Sequence, residues 1–115
     1  MHEIVKRTWR TDLPHNNRLA NAALGLAGEA GEVADLIKKM LFHGHKINEE
    51  LFLQELGDVY FYLSAIELEL GLTREQAQDA VNAKLQKRYP TGFDPMRSIN
   101  RDAVNGGSHV LNSAP

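Results

Sequence analysis

The sequence predicts an all-α protein, and three observations support this fold class. Apolar residues recur at alternating steps of three and four along two long segments, which is the period of an amphipathic helix. Residues typical of helix ends flank these segments, with Asn48 at a start and Gly71 at an end. No segment shows the sustained alternation of a half-buried strand. We therefore expect a four-helix bundle.

The first half of the chain contains two of the predicted helices. Residues 2–10 fit a short helix, and Pro14 breaks the chain after it. The second helix is expected from near Asn17 to Phe42, with a stripe of Leu19, Ala23, Leu26, Ala30, Val33, Ile37 and Met40. His43 to Lys46 reads as the loop that follows it.

The third and fourth helices follow this loop. Asn48 and Gly71 delimit the third helix, whose stripe is Phe52, Leu56, Val59, Leu63, Ile66 and Leu70. Residues 73–76 fit a capping box that opens a fourth helix, which ends near Tyr89 before Pro90. Residues 1–94 are then the functional domain, and residues 95–115 are expected to form a polar, flexible tail.

Composition narrows the classes of function. The net charge of −2 provides no electrostatic footprint for nucleic acid. The absence of cysteine excludes a thiolate metal site and a disulfide frame. No apolar stretch approaches the roughly 18 residues of a membrane span, and the N-terminus lacks the apolar run of a signal peptide. We therefore expect a cytoplasmic protein without a membrane partner.

Two carboxylate pairs of equal spacing are the main candidate site. Glu29 and Glu32 lie on the second predicted helix, and Glu55 and Asp58 lie on the third. A spacing of three puts both acids of a pair on one helix face, beside the apolar stripe. In a helical hairpin the four acids would converge, and a divalent cation such as Mg²⁺ would relieve their repulsion.

The acid pairs and the glycines near them each allow a functional and a structural interpretation. Such acid pairs are often only solvated surface. Gly25, Gly28 and Gly31 indicate either a close approach of another element or room for a ligand beside the carboxylates.

The fourth helix adds two cations. Lys84 and Arg88 fall on the same face as its apolar stripe, which consists of Ala77, Val81 and Leu85. Their charge would be matched by the carboxylates or by a bound polyphosphate, or the side chains would reach past the stripe to water.

These motifs resemble those of the MazG-like family of all-α nucleotide pyrophosphohydrolases. The family pattern is ExxE, a variable spacer and ExxD, which Glu29, Glu32, Glu55 and Asp58 match in order. Residues 82–90 resemble the family's fourth-helix signature. Tyr62 matches a tyrosine that follows ExxD in dCTP pyrophosphatase relatives. The resemblance covers residues 21–93.

The resemblance implies hydrolysis of a nucleoside triphosphate, such as a dNTP or a non-standard nucleotide, to the monophosphate and pyrophosphate. It implies Mg²⁺ as the cofactor, with Mn²⁺ as a substitute, held by the four acids as catalytic ligands. It further implies a homodimer or a dimer of dimers that completes the MazG-like bundle. Substrate contacts would come from Tyr62, Asn82, Lys84 and Arg88.

Three alternatives remain open at this point. A phosphoribosyl-ATP pyrophosphohydrolase would share the metal ligands and differ in substrate. A carboxylate-bridged di-iron bundle is disfavoured, because neither helix carries the Glu-x-x-His step. A non-catalytic helical interaction module is the third alternative, although the presence of all four acids argues against it.

Overall fold

The computed structural model describes residues 1–100, and these residues form helices and loops without a β-strand. The predicted all-α class is therefore confirmed. Residues 101–115, which make up most of the predicted tail, lie outside the described residues. The helices are α1 (His2–Thr8), α2 (His15–Phe42), α3 (Glu49–Leu70), α4 (Arg74–Arg88) and α5 (Pro95–Ile99).

The helix ends follow the local chemistry of the sequence. The Asn48 side chain accepts a hydrogen bond from the backbone N–H of Leu51 at 3.1 Å, as expected of an N-cap. Gly71 ends α3 in the left-handed conformation, with φ of 65°, which costs a glycine nothing. α2 begins at His15, two residues before the predicted start, and Pro14, with an extended ψ of 155°, is its N-cap residue.

The described part of the chain divides into two compact units, one formed by residues 1–74 and the other beginning at residue 75. In the first unit α2 packs along α3, and α1 packs against α3. The second unit contains nearly all of α4 and the whole of α5. α5 was not predicted, because a five-residue helix leaves no periodic stripe in the sequence.

The core of the first unit lies where α1, α2 and α3 meet. Val5, Ala22 and Ala65 are fully buried, and the partly buried side chains around them are Trp9, Phe61, Ile66 and Leu68. The predicted stripe of α2 contains Ala23, but Ala23 is exposed and its neighbour Ala22 is buried. Helical period alone cannot distinguish two adjacent alanines, and packing with Val5 and Ala65 selects Ala22.

Much apolar surface remains uncovered in the single chain. Leu24, Leu41, Phe42, Ile47 and Leu53 are each more than 60% exposed. Large apolar side chains gain free energy when they are removed from water, so contact of these residues with another chain would be favourable.

The apolar stripe predicted for α4 is largely exposed in the structure. Val81 and Leu85 are 39% and 44% exposed, and no residue of α4 is buried. The stripe is narrow, and with an alanine among its three members it offers little apolar area to drive burial.

Among the described residues, no helix has both the length and the apolar content to cross a bilayer.

Candidate metal and nucleotide site

Three of the four predicted acids converge between α2 and α3. Glu29 comes from α2, while Glu55 and Asp58 come from one face of α3. One carboxylate oxygen from each residue lies within 4.8 Å of the other two. Glu29 and Glu55 are half-buried and Asp58 is exposed, so the group stands at the edge of the helical seam and is open to solvent. This placement is the one that the sequence predicted for these three acids.

The three carboxylates of this group repel one another. The pKa of Glu29 is raised above its ordinary value, first by burial and then by a hydrogen bond with Glu55. The negative charges of Asp58, Glu55 and Glu32 raise this pKa further. A divalent cation would relieve the repulsion, and carboxylate oxygens are the hard ligands that Mg²⁺ prefers. The residues present therefore fit such an ion.

Glu32 occupies a different position from the other three acids. It is exposed, and its charge contributes to the raised pKa of Glu29. Its carboxylate is not one of the three that lie within 4.8 Å of one another. The role of Glu32 as a fourth metal ligand stays a prediction.

The glycines of α2 differ in what surrounds them. Gly25 lies against another element of the fold, whereas Gly28 and Gly31 border open space. A Cβ built on Gly25 would lie 2.5 Å from Cδ1 and Cζ of Tyr62, and closer still to Cε1. Gly25 is therefore required for the close approach of the Tyr62 ring. At Gly28 and Gly31 an added Cβ would meet no described atom within 4 Å. These two positions leave open space near the carboxylates.

Tyr62 also belongs to an aromatic cluster with Trp9 and Phe61. Its ring packs edge-to-face against Phe61 at 5.3 Å and against Trp9 at 6.3 Å between centroids. The ring lies one helical turn beyond Asp58 on α3. Its predicted contact with a nucleotide stays a prediction, since the observed contacts of the ring are structural.

Comparison with known protein families identifies the family to which this chain belongs. The model of the MazG nucleotide pyrophosphohydrolase domain matches residues 18–93, which is more than half of the chain. The chain belongs to this MazG family. The match spans all four predicted metal ligands and all four predicted substrate contacts, and it confirms the resemblance seen in the motifs. Membership supports a nucleotide pyrophosphohydrolase, a hydrolase of phosphoanhydride bonds, and enzymes of the MazG family typically use a divalent metal.

Comparison with individual proteins adds a distant relative. The chain is 31% identical over 87 residues to the Gene 37 protein of Mycobacterium phage L5, a match that covers 72% of this chain and 76% of the relative. The name of that relative states no activity. No solved structure matches this chain.

The remaining predicted substrate contacts of this MazG chain lie on α4. Asn82 and Lys84 are exposed, and Arg88 is half-buried at the last position of the helix. Their roles stay predictions. Beyond them, Arg97 of α5 donates a hydrogen bond from Nη1 to the backbone carbonyl oxygen of Arg88 at 3.3 Å. Sequence reasoning missed Arg97, because it lies in a segment that was expected to be flexible.

Two carboxylates near the end of α3 were also missed by the sequence analysis. The side chain of Glu69 is 9% exposed and accepts hydrogen bonds from Trp9 Nε1 at 3.1 Å and from Arg18 Nε at 2.6 Å. Its other oxygen lies 2.8 Å from His15 Nδ1. Glu67 is bound by Arg74 at 2.6 Å. Residues 67–70 read Glu-Leu-Glu-Leu, but acids two residues apart lie on different faces of a helix, so this pattern gave only a weak signal.

Proposed function

We propose that this protein hydrolyses nucleoside triphosphates to the nucleoside monophosphate and pyrophosphate, with Mg²⁺ held by its carboxylates. The convergence of Glu29, Glu55 and Asp58 is the observation that carries the proposal. Its second support is the match of residues 18–93 to the pyrophosphohydrolase domain, which contains these three residues. Deoxynucleoside triphosphates or non-standard nucleotides are the proposed substrates.

The metal would be held by the three converging acids, with Glu32 as a fourth ligand. When bound there, Mg²⁺ or its substitute Mn²⁺ would polarise the phosphoryl group and supply an activated water. One of the four carboxylates would also orient a water molecule as a general base. In the overall reaction water hydrolyses the phosphoanhydride bond between the α- and β-phosphoryl groups. The water oxygen bonds to one of the two phosphorus atoms, the bridging oxygen stays with the other, and the products are the nucleoside monophosphate, pyrophosphate and the protons given up by the water.

The other proposed contacts neutralise and orient the nucleotide. Lys84 offers a point charge to the phosphates, whereas Arg88 can grip two phosphate oxygens at once. Tyr62 and Asn82 contact the nucleoside or its phosphates. The open space at Gly28 and Gly31 is consistent with a ligand beside the carboxylates.

Assembly into a homodimer, or into a dimer of dimers, is part of the proposal. The first unit buries only a few small side chains, while several large apolar residues remain exposed. A second copy would cover such a surface and complete the bundle. We place the protein in the cytoplasm, with no nucleic acid or membrane as a partner.

The function is tested with a panel of substrates. The purified protein is incubated with Mg²⁺ and with each dNTP, each NTP, or phosphoribosyl-ATP, and released pyrophosphate is measured. We expect release from one or more nucleoside triphosphates, and none when the metal is chelated. Release from phosphoribosyl-ATP alone would favour the related enzyme class. No release from any compound would favour a non-catalytic interaction module and contradict the proposal.

A further inference from the structure

The chain folds back on itself directly after α4. The backbone N–H of Tyr89 continues the helical bonding to the carbonyl of Leu85 at 2.7 Å. Gly92 then donates its N–H to the carbonyl of Tyr89 at 3.2 Å and adopts a φ of 110°, which is a conformation open to glycine. The rings of Tyr89 and Phe93 lie 5.3 Å apart and close this turn.

This turn leads into α5, which has its own cap. The Asp94 side chain accepts a hydrogen bond from the N–H of Met96 at 2.9 Å, and Pro95 occupies the first turn. A helix of five residues is not stable alone in water, so α5 depends on the contacts that anchor it. One such contact is the 3.3 Å hydrogen bond from Arg97 Nη1 to the carbonyl oxygen of Arg88.

This hydrogen bond reaches the last residue of α4. The final carbonyl groups of a helix have no partner within the helix, and the last turn therefore frays unless other groups bond to it. A cation at this end also interacts favourably with the helix dipole. Arg97 supplies both the donor and the charge. The turn that it binds carries Arg88, the proposed bidentate phosphate ligand.

We propose that Arg97 is a positioning residue for Arg88. By ordering the last turn of α4, Arg97 fixes the position from which Arg88 would bind the nucleotide phosphates. This inference rests on the proposed function of Arg88. It also moves the expected end of the functional domain from residue 94 to the end of α5. The pyrophosphohydrolase match stops at residue 93, so α5 lies outside the part of the chain that it covers.

The test compares nucleotide KM and kcat in single and double variants. Arg97→Ala is expected to raise the KM for the nucleotide roughly tenfold with a smaller change in kcat, the size expected for one charged hydrogen bond. In an Arg88→Ala background the same change should raise KM no further. Arg97→Lys retains a donor and should rescue part of the loss. Met96→Ala, at a neighbouring exposed position of α5, is the matched control.

Truncations provide a second comparison. Removal of residues 101–115 should leave KM unchanged, whereas truncation after Asp94 should reproduce the effect of Arg97→Ala. An unchanged KM in Arg97→Ala would overturn the inference. Equal increases of KM in the presence and absence of Arg88 would also overturn it, because Arg97 would then act independently.

Amide hydrogen exchange separates this inference from the proposed function. If the unaltered protein releases pyrophosphate from no nucleotide, the proposed function fails, and exchange still reports on the last turn of α4. Faster exchange at the amides of Arg88 and Tyr89 in Arg97→Ala would support the ordering role of Arg97. Unchanged exchange at both amides would overturn it.

Discussion

The ring of Tyr62 lies directly against the backbone of Gly25, with no room for even a single methyl group between them. This contact brings α3 close to α2 one turn away from Glu29 and Asp58. Gly25 thus has a packing role, whereas Gly28 and Gly31, on the same helix, border open space. The same residue type serves two different purposes within two turns of one helix.

The first prediction concerns this contact. Gly25→Ala should destabilise the protein by about 1–3 kcal/mol, because the new Cβ must displace the Tyr62 ring. Gly28→Ala and Gly31→Ala are matched controls. They should leave stability unchanged or raise it by about 0.5–1 kcal/mol, since alanine is the better helix former. Thermal or urea unfolding measures the three variants.

A double variant tests the cause of that destabilisation. When Tyr62 is also replaced by Ala, the additional cost of Gly25→Ala should largely disappear, because the clashing ring is absent. If the cost of Gly25→Ala were the same with and without the Tyr62 ring, the contact would not explain the glycine.

The second prediction concerns the acids. Glu29→Gln, Glu55→Gln and Asp58→Asn should each lower pyrophosphate release by about 100-fold or more, because each removes a charged metal ligand and keeps its shape. Glu32→Gln should also reduce turnover if Glu32 is the fourth ligand. The metal-free variants should remain folded, because removing one acid relieves the repulsion that raises the pKa of Glu29.

Circular dichroism and a metal titration accompany the activity measurement. Glu3→Gln, at an exposed position of α1, is a control that should alter neither activity nor metal affinity. Full activity of both Glu55→Gln and Asp58→Asn would show that the site lies elsewhere.

The third prediction is a dependence of stability on pH through Glu69. The hydrogen bond from Arg18, followed by those from His15 and Trp9, lowers the pKa of Glu69 below its ordinary value of 4.5. Its ionised form is therefore favoured in the folded state. This stabilisation is fully present above the ordinary pKa and is lost as the pH falls through the lower folded-state pKa.

The test compares Glu69→Gln with the unaltered protein between about pH 3 and pH 7. At neutral pH the variant should be less stable by about 1–3 kcal/mol, because charged hydrogen bonds are lost. Toward acidic pH the two proteins should converge, since a protonated Glu69 is also neutral. A difference that stayed constant across this range would exclude the ion pair as its source.

The fourth prediction concerns the cations of α4. Lys84→Ala and Arg88→Ala should raise nucleotide KM or lower turnover, and Arg88→Lys should restore only part of the loss, because an ammonium group cannot grip phosphate bidentately. Lys87→Ala on α4 and Lys38→Ala on α2 are the controls. Equal effects of all four alanine substitutions would indicate only a general contribution of positive charge.

The fifth prediction concerns assembly. The exposed apolar residues of the first unit should hold at least two copies together, because water contact with such a surface is unfavourable. Light scattering at micromolar concentration should therefore give the mass of a dimer or of a tetramer. The mass of a single 12.9 kDa chain would contradict the prediction.

Features that depend only on neighbouring residues were predictable from the sequence. The cap at Asn48, the left-handed glycine at Gly71 and the ends of α3 follow from local hydrogen bonds and backbone freedom. The spacing of three between Glu55 and Asp58 puts both acids on one face whatever α3 packs against. Because these features involve residues within about one helical turn, the sequence carried enough information to predict them.

Packing between helices determines which of the predicted features come into contact. It placed Glu29 beside Glu55 and Asp58 and left Glu32 outside that group. It buried Ala22 instead of Ala23, and it joined Arg97 to Arg88 through a segment without any periodic pattern. Each outcome depends on how far a helix rotates and shifts against its neighbour. That rotation is set by many small contacts spread along the chain, and no single spacing in the sequence records it.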